Sequence, residues 1–327
     1  MRKFFLFVSV ICVALSVYSN NAVEDYVIYN NWGIGWSVDY EIYATESRIV
    51  ANDTTYTSAV TQNVTIELND TTADGDLIFV CRPSVKNRII DKTGMSERNK
   101  GLVEMVDTIP IELLTDRYGV VKNIRNIAEI QSQLKNSGLY DAVVAMQLEK
   151  YKEEHKNATP QELERLATAL SQAKEQMYSE SVVYKSAEEI ISLFMHNGRV
   201  FAQGKEYIEN VKKPIMVAPN VYLDAVLRTK AEKYEIKDDA EHSFVKISSV
   251  IEFDANQLTP VFKSMIKSLY RGIGESVISE YLKSGEVDER WLHIIDAGLG
   301  VCLHSLYDFS FTVGDCTIKK EIEIRFP

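Results

Sequence analysis

Residues 309–326 read FSFTVGDCTIKKEIEIRF, and this stretch decides the class of fold. The Gly-Asp pair in its middle fits a two-residue hairpin loop between runs of β-branched and aromatic residues. In that register Val313 faces Cys316, and Phe311 faces Ile318. Apolar and charged residues then alternate to the end of the stretch, which predicts an antiparallel strand with one face in the core and the other in water.

The same β signal occurs in the N-terminal third of the chain and again after residue 213. Val64, Ile66 and Leu68 alternate with polar residues, so they share one face of a strand. Gly119 lies where a turn between two further strands needs a positive φ. Other predicted strands are the unbroken apolar run 77–81, which is typical of a strand covered on both faces, and the segments 221–236 and 243–253.

Helical periodicity replaces the β signal in the middle of the chain. Apolar residues recur at helical spacing from Leu139. Thr159-Pro160-Gln161-Glu162 then supplies the cap, the first-turn proline and the acidic third residue of a second helix. The two helices predict an antiparallel hairpin over roughly 139–178. Two further capping pairs are predicted, Asn126 with Glu129 and Ser186 with Glu189.

Strands, then helices, then strands with helices indicate an α+β protein rather than an alternating parallel sheet. We expect antiparallel β-sheets with the central helical hairpin packed on them. Curling of the sheets and duplication of the two β-rich blocks are both compatible with the pattern. The predicted organisation is a signal peptide at 1–19, an N-terminal β-rich region at 20–130, a helical region at 131–198, and a C-terminal β-rich region with one or two helices at 199–327.

Residues 1–19 have the pattern of a secretory signal peptide. A basic start at Arg2 and Lys3 precedes an apolar run over 4–17, and the small residue Ser19 precedes the predicted cleavage point. The apolar run is shorter than the ~20 residues that a membrane-spanning helix requires, and an uncleaved N-terminal anchor is the alternative. We therefore expect an exported protein of the periplasm, cell envelope or extracellular space, without a transmembrane segment after cleavage.

The composition is that of a globular protein, with 46% hydrophobic and 25% charged residues in a chain of 327. Lys and Arg total 36 against 47 Asp and Glu, which gives a formal net charge of −11. A surface this acidic repels phosphate backbones, so nucleic acid is not an expected partner.

Cys81, Cys302 and Cys316 remain after the predicted cleavage, too few for a disulfide scaffold. The hairpin register separates Cys302 from Cys316 along the strands and excludes a bridge between them. We favour buried free thiols for all three. Asn-x-Thr sequons leave glycosylation open at Asn52, Asn63, Asn69 and Asn157.

No nucleotide-binding, metalloprotease or nucleophile-elbow motif occurs in the sequence. The segment 291–304 contains four side chains that could bind a metal or form a Cys–His pair, namely His293, Asp296, Cys302 and His304. Their spacing matches no ligand pattern, and His293 and His304 point to opposite faces if both lie on one strand. Ordinary packing is preferred, and we expect a non-enzymatic chain without a metal or cofactor.

Trp32 and Trp36 flank the triplet Gly33-Ile34-Gly35 and are the candidate ligand-binding residues. At this even spacing on a strand, both rings face the same way and could stack on a ligand. The alternative is a first strand whose tryptophans fill the core, with glycines that permit close approach.

The stretch Leu114-Thr-Asp-Arg-Tyr-Gly-Val120, with Ile124, Asn126 and Glu129-Ile130 after it, resembles a strand–turn–strand–helix signature of exported proteins of unknown function from Gram-negative anaerobes. The likeness covers residues 114–130 and implies export and a β-rich architecture. A curled antiparallel sheet with helices over its concave face would also look like periplasmic lipoprotein carriers, although no motif of those carriers is present.

These features favour a non-enzymatic, exported protein that binds a small-molecule, lipid or protein ligand in a groove between sheet and helices. The first alternative is a structural or adhesion protein of the cell envelope that acts through its surface. The second is a hydrolase without a recognisable motif. A cavity lined by apolar side chains would support the leading interpretation, and a fully packed interface would remove its basis.

Overall fold

The computed structural model describes residues 25–51, 53–91, 109–215, 218–236, 242–269 and 274–327. The predicted signal peptide, its cleavage point and the sequon at Asn52 lie outside these residues. Within the described ranges, no helix is both long enough and apolar enough to cross a bilayer.

One antiparallel sheet of 11 strands dominates the structure, and a separate two-stranded sheet pairs β1 with β7. The strands are β1 Asp25–Ile28, β2 Ser37–Val50, β3 Asp53–Thr71, β4 Leu77–Asp91, β5 Ile111–Thr115, β6 Val121–Ile124, β7 Arg199–Ala202, β8 Glu206–Ile215, β9 Ala218–Tyr234, β10 Phe244–Phe253, β11 Glu286–Asp296, β12 Val301–Val313 and β13 Cys316–Arg325. Their order across the large sheet is β6-β5-β4-β3-β2-β13-β12-β11-β10-β9-β8.

The C-terminal hairpin has the predicted register. Val313 lies opposite Cys316 and Phe311 opposite Ile318 in the β12–β13 pair. Gly314 opens the loop with a φ of 60°. The turn between β5 and β6 is also as predicted, because Gly119 has a φ of 89°. In both turns the glycine permits a backbone conformation that an L side chain would strain.

The two predicted β-rich regions form one sheet, since β2 pairs with β13. Ile42 lies opposite Ile324, and Ala44 lies opposite Ile322. A strand of the N-terminal region therefore lies next to the C-terminal hairpin. The α+β class with a large antiparallel sheet is confirmed, whereas duplication of the two regions stays a prediction.

Seven helices accompany the sheet in the described ranges. They are α1 Ile127–Ser137, α2 Leu139–Glu154, α3 Pro160–Met177, α4 Glu180–Ser186, α5 Glu188–Ser192, α6 Ala255–Leu269 and α7 Glu275–Lys283. The predicted start of α3 is confirmed: the Thr159 side chain accepts from the Glu162 backbone N–H, and the Glu162 carboxylate accepts from the Thr159 N–H. This reciprocal pair satisfies two amide groups that a helix start leaves free.

A central helical hairpin packed on the sheets is not confirmed. Among the residues of α2 only Leu139 is buried, and α3 has no buried residue. Their apolar stripes are half-buried, and α2 and α3 contact each other. Apolar periodicity shows that a helix has a covered side, but it does not say whether a sheet or another helix covers it.

Shorter helices cover the sheet instead. Ile130 of α1, Val183 of α4 and Ile190 of α5 belong to the main buried cluster, together with Ile42 and Phe79 of the sheet. A second cluster lies under α6 and α7, where Phe262, Ile266 and Ile278 pack against β8, β9 and β12. The sheet therefore has two helix-covered areas.

The other predicted capping pairs are wrong. Asn126 makes no side-chain cap. Its amide oxygen accepts from the Glu112 N–H at 3.0 Å, and its amide nitrogen donates to the Pro110 carbonyl at 3.0 Å. Ser186 ends α4 rather than starting a helix, and its hydroxyl donates to the Val183 carbonyl. Asn and Ser side chains also form hydrogen bonds with backbone groups outside helix caps. Asn126 and Ser186 form such bonds here instead of the predicted caps.

Candidate ligand-binding groove

A cavity of about 260 Å³ lies between the sheet and the helices of the first covered area. Strands β2 to β5 form its floor, and α1, α4 and α5 form its roof. The side chains that line it are mostly apolar: Ile42, Ala44, Val60, Gln62, Pro83, Ile109, Ile111, Ile130, Leu134, Tyr140, Val182, Lys185, Ser186, Glu189 and Ile190. The sheet–helix interface is therefore not fully packed at this place.

Strand alternation explains which residues reach the floor. Ile42 and Ala44 are two apart on β2, and Val60 and Gln62 are two apart on β3, so each pair shares one face. In the β2–β3 ladder Ile42 lies opposite Gln62 and Ala44 lies opposite Val60. Two cross-strand pairs thus make the centre of the floor, and one of the four side chains is only a methyl group.

Specific hydrogen bonds hold the roof. The Tyr184 hydroxyl of α4 accepts from the Ile124 N–H of β6 at 3.3 Å. Gln131 of α1 donates its side-chain amide to the Tyr178 carbonyl at 2.7 Å. The Tyr178 ring meets the Tyr140 ring edge to face with centroids 5.2 Å apart. These contacts hold the helices in place above the strands. The side chains of the helices do not fill the space between the helices and the floor.

Three of the polar side chains that border the groove differ in their partners. Glu189 is paired with Lys320 of β13 at 3.4 Å. Gln62 stands on the floor between apolar neighbours, and its side chain is half-buried. Lys185 is exposed on the roof and forms no ion pair within the described residues.

A charged cluster lies beside the groove, where a small cavity of about 20 Å³ shares Glu189 with it. Glu289 is only 3% exposed and accepts hydrogen bonds from the Lys213 ammonium and from the Tyr307 hydroxyl. The Lys213 ammonium also lies 3.7 Å from the centroid of the Trp291 ring. Burial raises the pKa of Glu289, while Lys213 and Tyr307 oppose that rise. Lys213 and Tyr307, both residues of the same chain, thus hold the Glu289 carboxylate.

Two buried histidines connect the segment after α5 to strand β11 of the sheet. His196, which follows α5, lies with its Nε2 3.2 Å from Nδ1 of His293 on β11. Burial lowers the pKa of His293 to about 4, and the Ser192 backbone opposes this effect. Burial and the neighbouring His293 and Arg199 hold the pKa of His196 well below its ordinary value. Both rings are therefore neutral near pH 7.

The four residues of the predicted metal or Cys–His segment do not converge. His293 contacts His196, whereas the Asp296 carboxylate accepts from the Gly298 and Leu299 N–H groups. The other two are engaged separately, since Cys302 donates to the His304 carbonyl and His304 Nε2 lies 2.9 Å from Glu323. Across the described ranges, no three His, Cys, Asp or Glu side chains are placed to hold one metal ion.

Trp32 and Trp36 are not brought together. Residues 29–36 form a loop with a turn at Gly35, whose φ is 84°, so the expectation of one strand face is wrong. Trp32 is half-buried, donates its ring N–H to the Leu299 carbonyl at 3.1 Å and meets the Phe79 ring edge to face. Trp36 is 49% exposed. Ligand contact at these two residues stays a prediction.

The prediction of buried free thiols is confirmed for Cys81, Cys302 and Cys316. Burial raises the pKa of Cys81 and of Cys302 to about 12. Since the thiolate is the reactive form, these two side chains act as small apolar groups at neutral pH.

Comparisons with known proteins add little to this geometry. No family model matches the chain. No curated protein matches it. Among solved structures, the chain is similar to lipovitellin in a structure of its lipid–protein interactions, with a TM-score of 0.38 and 9% identity. The match covers 91% of this chain but 25% of that chain, so this chain spans about a quarter of the lipovitellin chain. A likeness at that TM-score carries no argument about this protein.

Proposed function

We propose that the protein is a non-enzymatic binding protein that holds an apolar ligand in the groove between β2–β5 and the helices α1, α4 and α5. The observation that carries this proposal is the cavity of about 260 Å³ with its mostly apolar lining. Protein interiors are normally close-packed, so an unfilled apolar space that reaches the surface is where a ligand gains most.

Removal of apolar ligand surface from water would supply most of the free energy of binding. Each methylene group that moves from water into such a lining contributes about 0.8 kcal/mol. The roof is fixed by its own hydrogen bonds, such as those of Gln131 and Tyr184, so little ordering is needed when a ligand enters. A preformed apolar groove of this kind suits an aliphatic or aromatic ligand better than a sugar or a nucleotide.

Export is the second part of the proposal, and it rests on the basic and apolar pattern of residues 1–19. It places ligand binding in the periplasm, the cell envelope or the extracellular space. Mass spectrometry of the protein from its native host tests this part. A mature chain that begins at Asn20 is expected, and a soluble cytosolic chain that still begins at Met1 contradicts it.

We also propose that α2 and α3 form the expected antiparallel hairpin at the edge of the groove. Lys174, near the end of α3, pairs with Asp141, near the start of α2, at 2.8 Å. That pairing fits two helices that run in opposite directions. Tyr140 extends this unit into the groove lining.

A neutral fluorescent probe, N-phenyl-1-naphthylamine, tests the groove. In Ala44→Trp the new ring occupies the floor, and we expect the dissociation constant of the probe to rise at least about tenfold. Ala59→Trp is the matched control, because Ala59 precedes Val60 and lies on the opposite face of the same strand. Val60→Phe repeats the test with a smaller insertion, and circular dichroism reports whether each variant folds. Equal probe binding by all variants contradicts the proposal.

A second candidate, action through the surface in the cell envelope, is favoured by an exposed apolar patch. Val27 and Val200 lie opposite each other in the β1–β7 pair and are 48% and 51% exposed. Tyr118 and Val120 are exposed and meet this patch at Gly198, where an added Cβ would lie 2.4 Å from Val120. Val27→Ser with Val200→Ser should reduce binding to envelope fragments if this surface is used, and unchanged binding contradicts that role.

A further inference from the structure

The groove has an uncompensated positive charge at its rim. Lys185 of α4 lines the groove and is exposed, and no described residue forms an ion pair with it. The one carboxylate of the lining, Glu189, is already paired with Lys320. Lys185 is thus the one lysine of the lining, and its charge is not neutralised by a described residue.

The floor adds one polar group to this arrangement. Gln62 lines the cavity opposite Ile42, with Val60 and Val64 as its neighbours on the same face of β3. No hydrogen bond joins its side-chain amide to another described residue. A half-buried amide without a protein partner is available to a polar group that enters the groove.

We infer that the ligand is an anionic amphiphile, a single aliphatic chain with a terminal carboxylate. This inference rests on the proposed function of the groove and names the ligand class. The chain lies between the β2–β3 floor and the helical roof, and the carboxylate lies at Lys185, while the Gln62 amide faces the same cavity. The apolar lining recognises the chain, and the rim lysine recognises the charge.

Other ligand charges fit less well. A cationic amphiphile would meet Lys185 and would find Glu189 neutralised by Lys320. A neutral chain would fill the cavity but gain no ion pair with Lys185. An anionic end group is the complement of the charges that the lining presents.

The test compares cis-parinaric acid with the matching parinaryl alcohol, two fluorescent probes with the same chain and different ends. We expect the full-length protein at pH 8 to bind the acid about tenfold more tightly than the alcohol. Lys185→Met should erase this preference without weakening alcohol binding, and Lys185→Arg should retain it. Lys152→Met, a change of an exposed lysine on α2, is the matched control and should behave as the unchanged protein does.

The outcomes separate the inference from the proposed function. Equal affinity for acid and alcohol overturns the inference but leaves an apolar groove in place. An acid preference that persists in Lys185→Met also overturns it, as does tighter binding of an alkylammonium of the same length. Failure of both probes to bind, or binding that Ala44→Trp does not weaken, overturns the proposed function as well.

Discussion

In the described part of the chain, helices cover the same sheet in two areas that differ in how well the space beneath the helices is filled. Under α6 and α7, the Phe262 ring packs on Phe311 with centroids 5.1 Å apart. Space there is so limited that a Cβ added to Gly285 would lie 2.6 Å from the Phe262 ring. Under α1, α4 and α5, a cavity of about 260 Å³ remains. The difference shows that a cavity remains where helical side chains stop short of the sheet.

Helix length and side-chain size explain the difference. Helix α6 has 15 residues and presents Val261, Phe262 and Ile266 at regular spacing. Helices α4 and α5 have 7 and 5 residues and are separated at Ala187, so they do not present one continuous stripe. Two of the groove residues that they supply, Val182 and Ser186, are small, whereas Lys185, Glu189 and Ile190 are larger. Short, interrupted helices with small side chains at some of their inward positions leave part of the space above the sheet unfilled.

The largest effect is expected from a substitution in the well-packed area under α6 and α7. Phe262→Ala should lower the free energy of unfolding by about 3–5 kcal/mol, because it removes a buried ring and leaves a cavity. Urea denaturation at pH 7.5 measures this loss. The matched control is Lys263→Ala at the next position, where the lost surface ion pair with Glu275 should leave the free energy of unfolding almost unchanged. A loss below about 1 kcal/mol for Phe262→Ala would show that this area is not tightly packed.

The next largest effect on stability is expected at the His196–His293 pair, which connects the segment after α5 to strand β11. The folded pKa of His293 is about 4 against an ordinary value of 6.5. The unfolded chain therefore binds protons that the folded chain excludes as the pH falls from 6.5 to 4. The contribution of His293 to the free energy of unfolding is therefore fully present above pH 6.5. Roughly 3 kcal/mol of it should be lost as the pH falls from 6.5 to 4.

Urea denaturation in steps between pH 7.5 and pH 4 measures this loss. His293→Gln should flatten the pH dependence, although the variant starts from a lower stability. His196→Gln should act in the same direction. His155→Gln, which changes a ring that stacks on Tyr151 at an exposed helix end, is the matched control for replacing a histidine with glutamine. An unaltered slope in both variants of the pair would contradict the assignment of neutral, buried rings.

The smallest effects are expected when a larger side chain is introduced into each of the two helix-covered areas. Ala44→Leu places extra methyl groups in the empty groove, and we expect a change in the free energy of unfolding within about 1 kcal/mol, of either sign. Gly285→Ala places a single methyl group against Phe262 and should cost about 1–3 kcal/mol. Thermal and urea unfolding of both variants compare the two areas directly. A costlier Ala44→Leu would show that the groove closes in solution.

Local sequence patterns predicted the elements better than their contacts. The register of β12 and β13 follows from a Gly-Asp loop and alternating residues, and both signals lie within one short stretch. The Thr159 cap is equally local. The helical stripe after Leu139 was predicted to lie on the sheet, but periodicity cannot identify the surface that covers it.

The groove could not be predicted residue by residue because distant segments build it. Its floor comes from β2 to β5 and its roof from helices that begin after residue 126. His196 and His293 lie 97 positions apart, so no local pattern pairs them. A cavity also depends on what side chains fail to fill, and neither hydrophobic spacing nor composition records that volume.

Photolabelling with a diazirine-bearing fatty acid, followed by peptide mass spectrometry, tests the central claim most directly. If the fatty acid binds in the groove, labels are expected on peptides that contain residues 42–62 and 182–190. Unlabelled fatty acid and the Ala44→Trp substitution should both suppress these labels. Labels confined to the α6–α7 area, or labels that neither competition nor Ala44→Trp reduces, would contradict a ligand site between this part of the sheet and its helices.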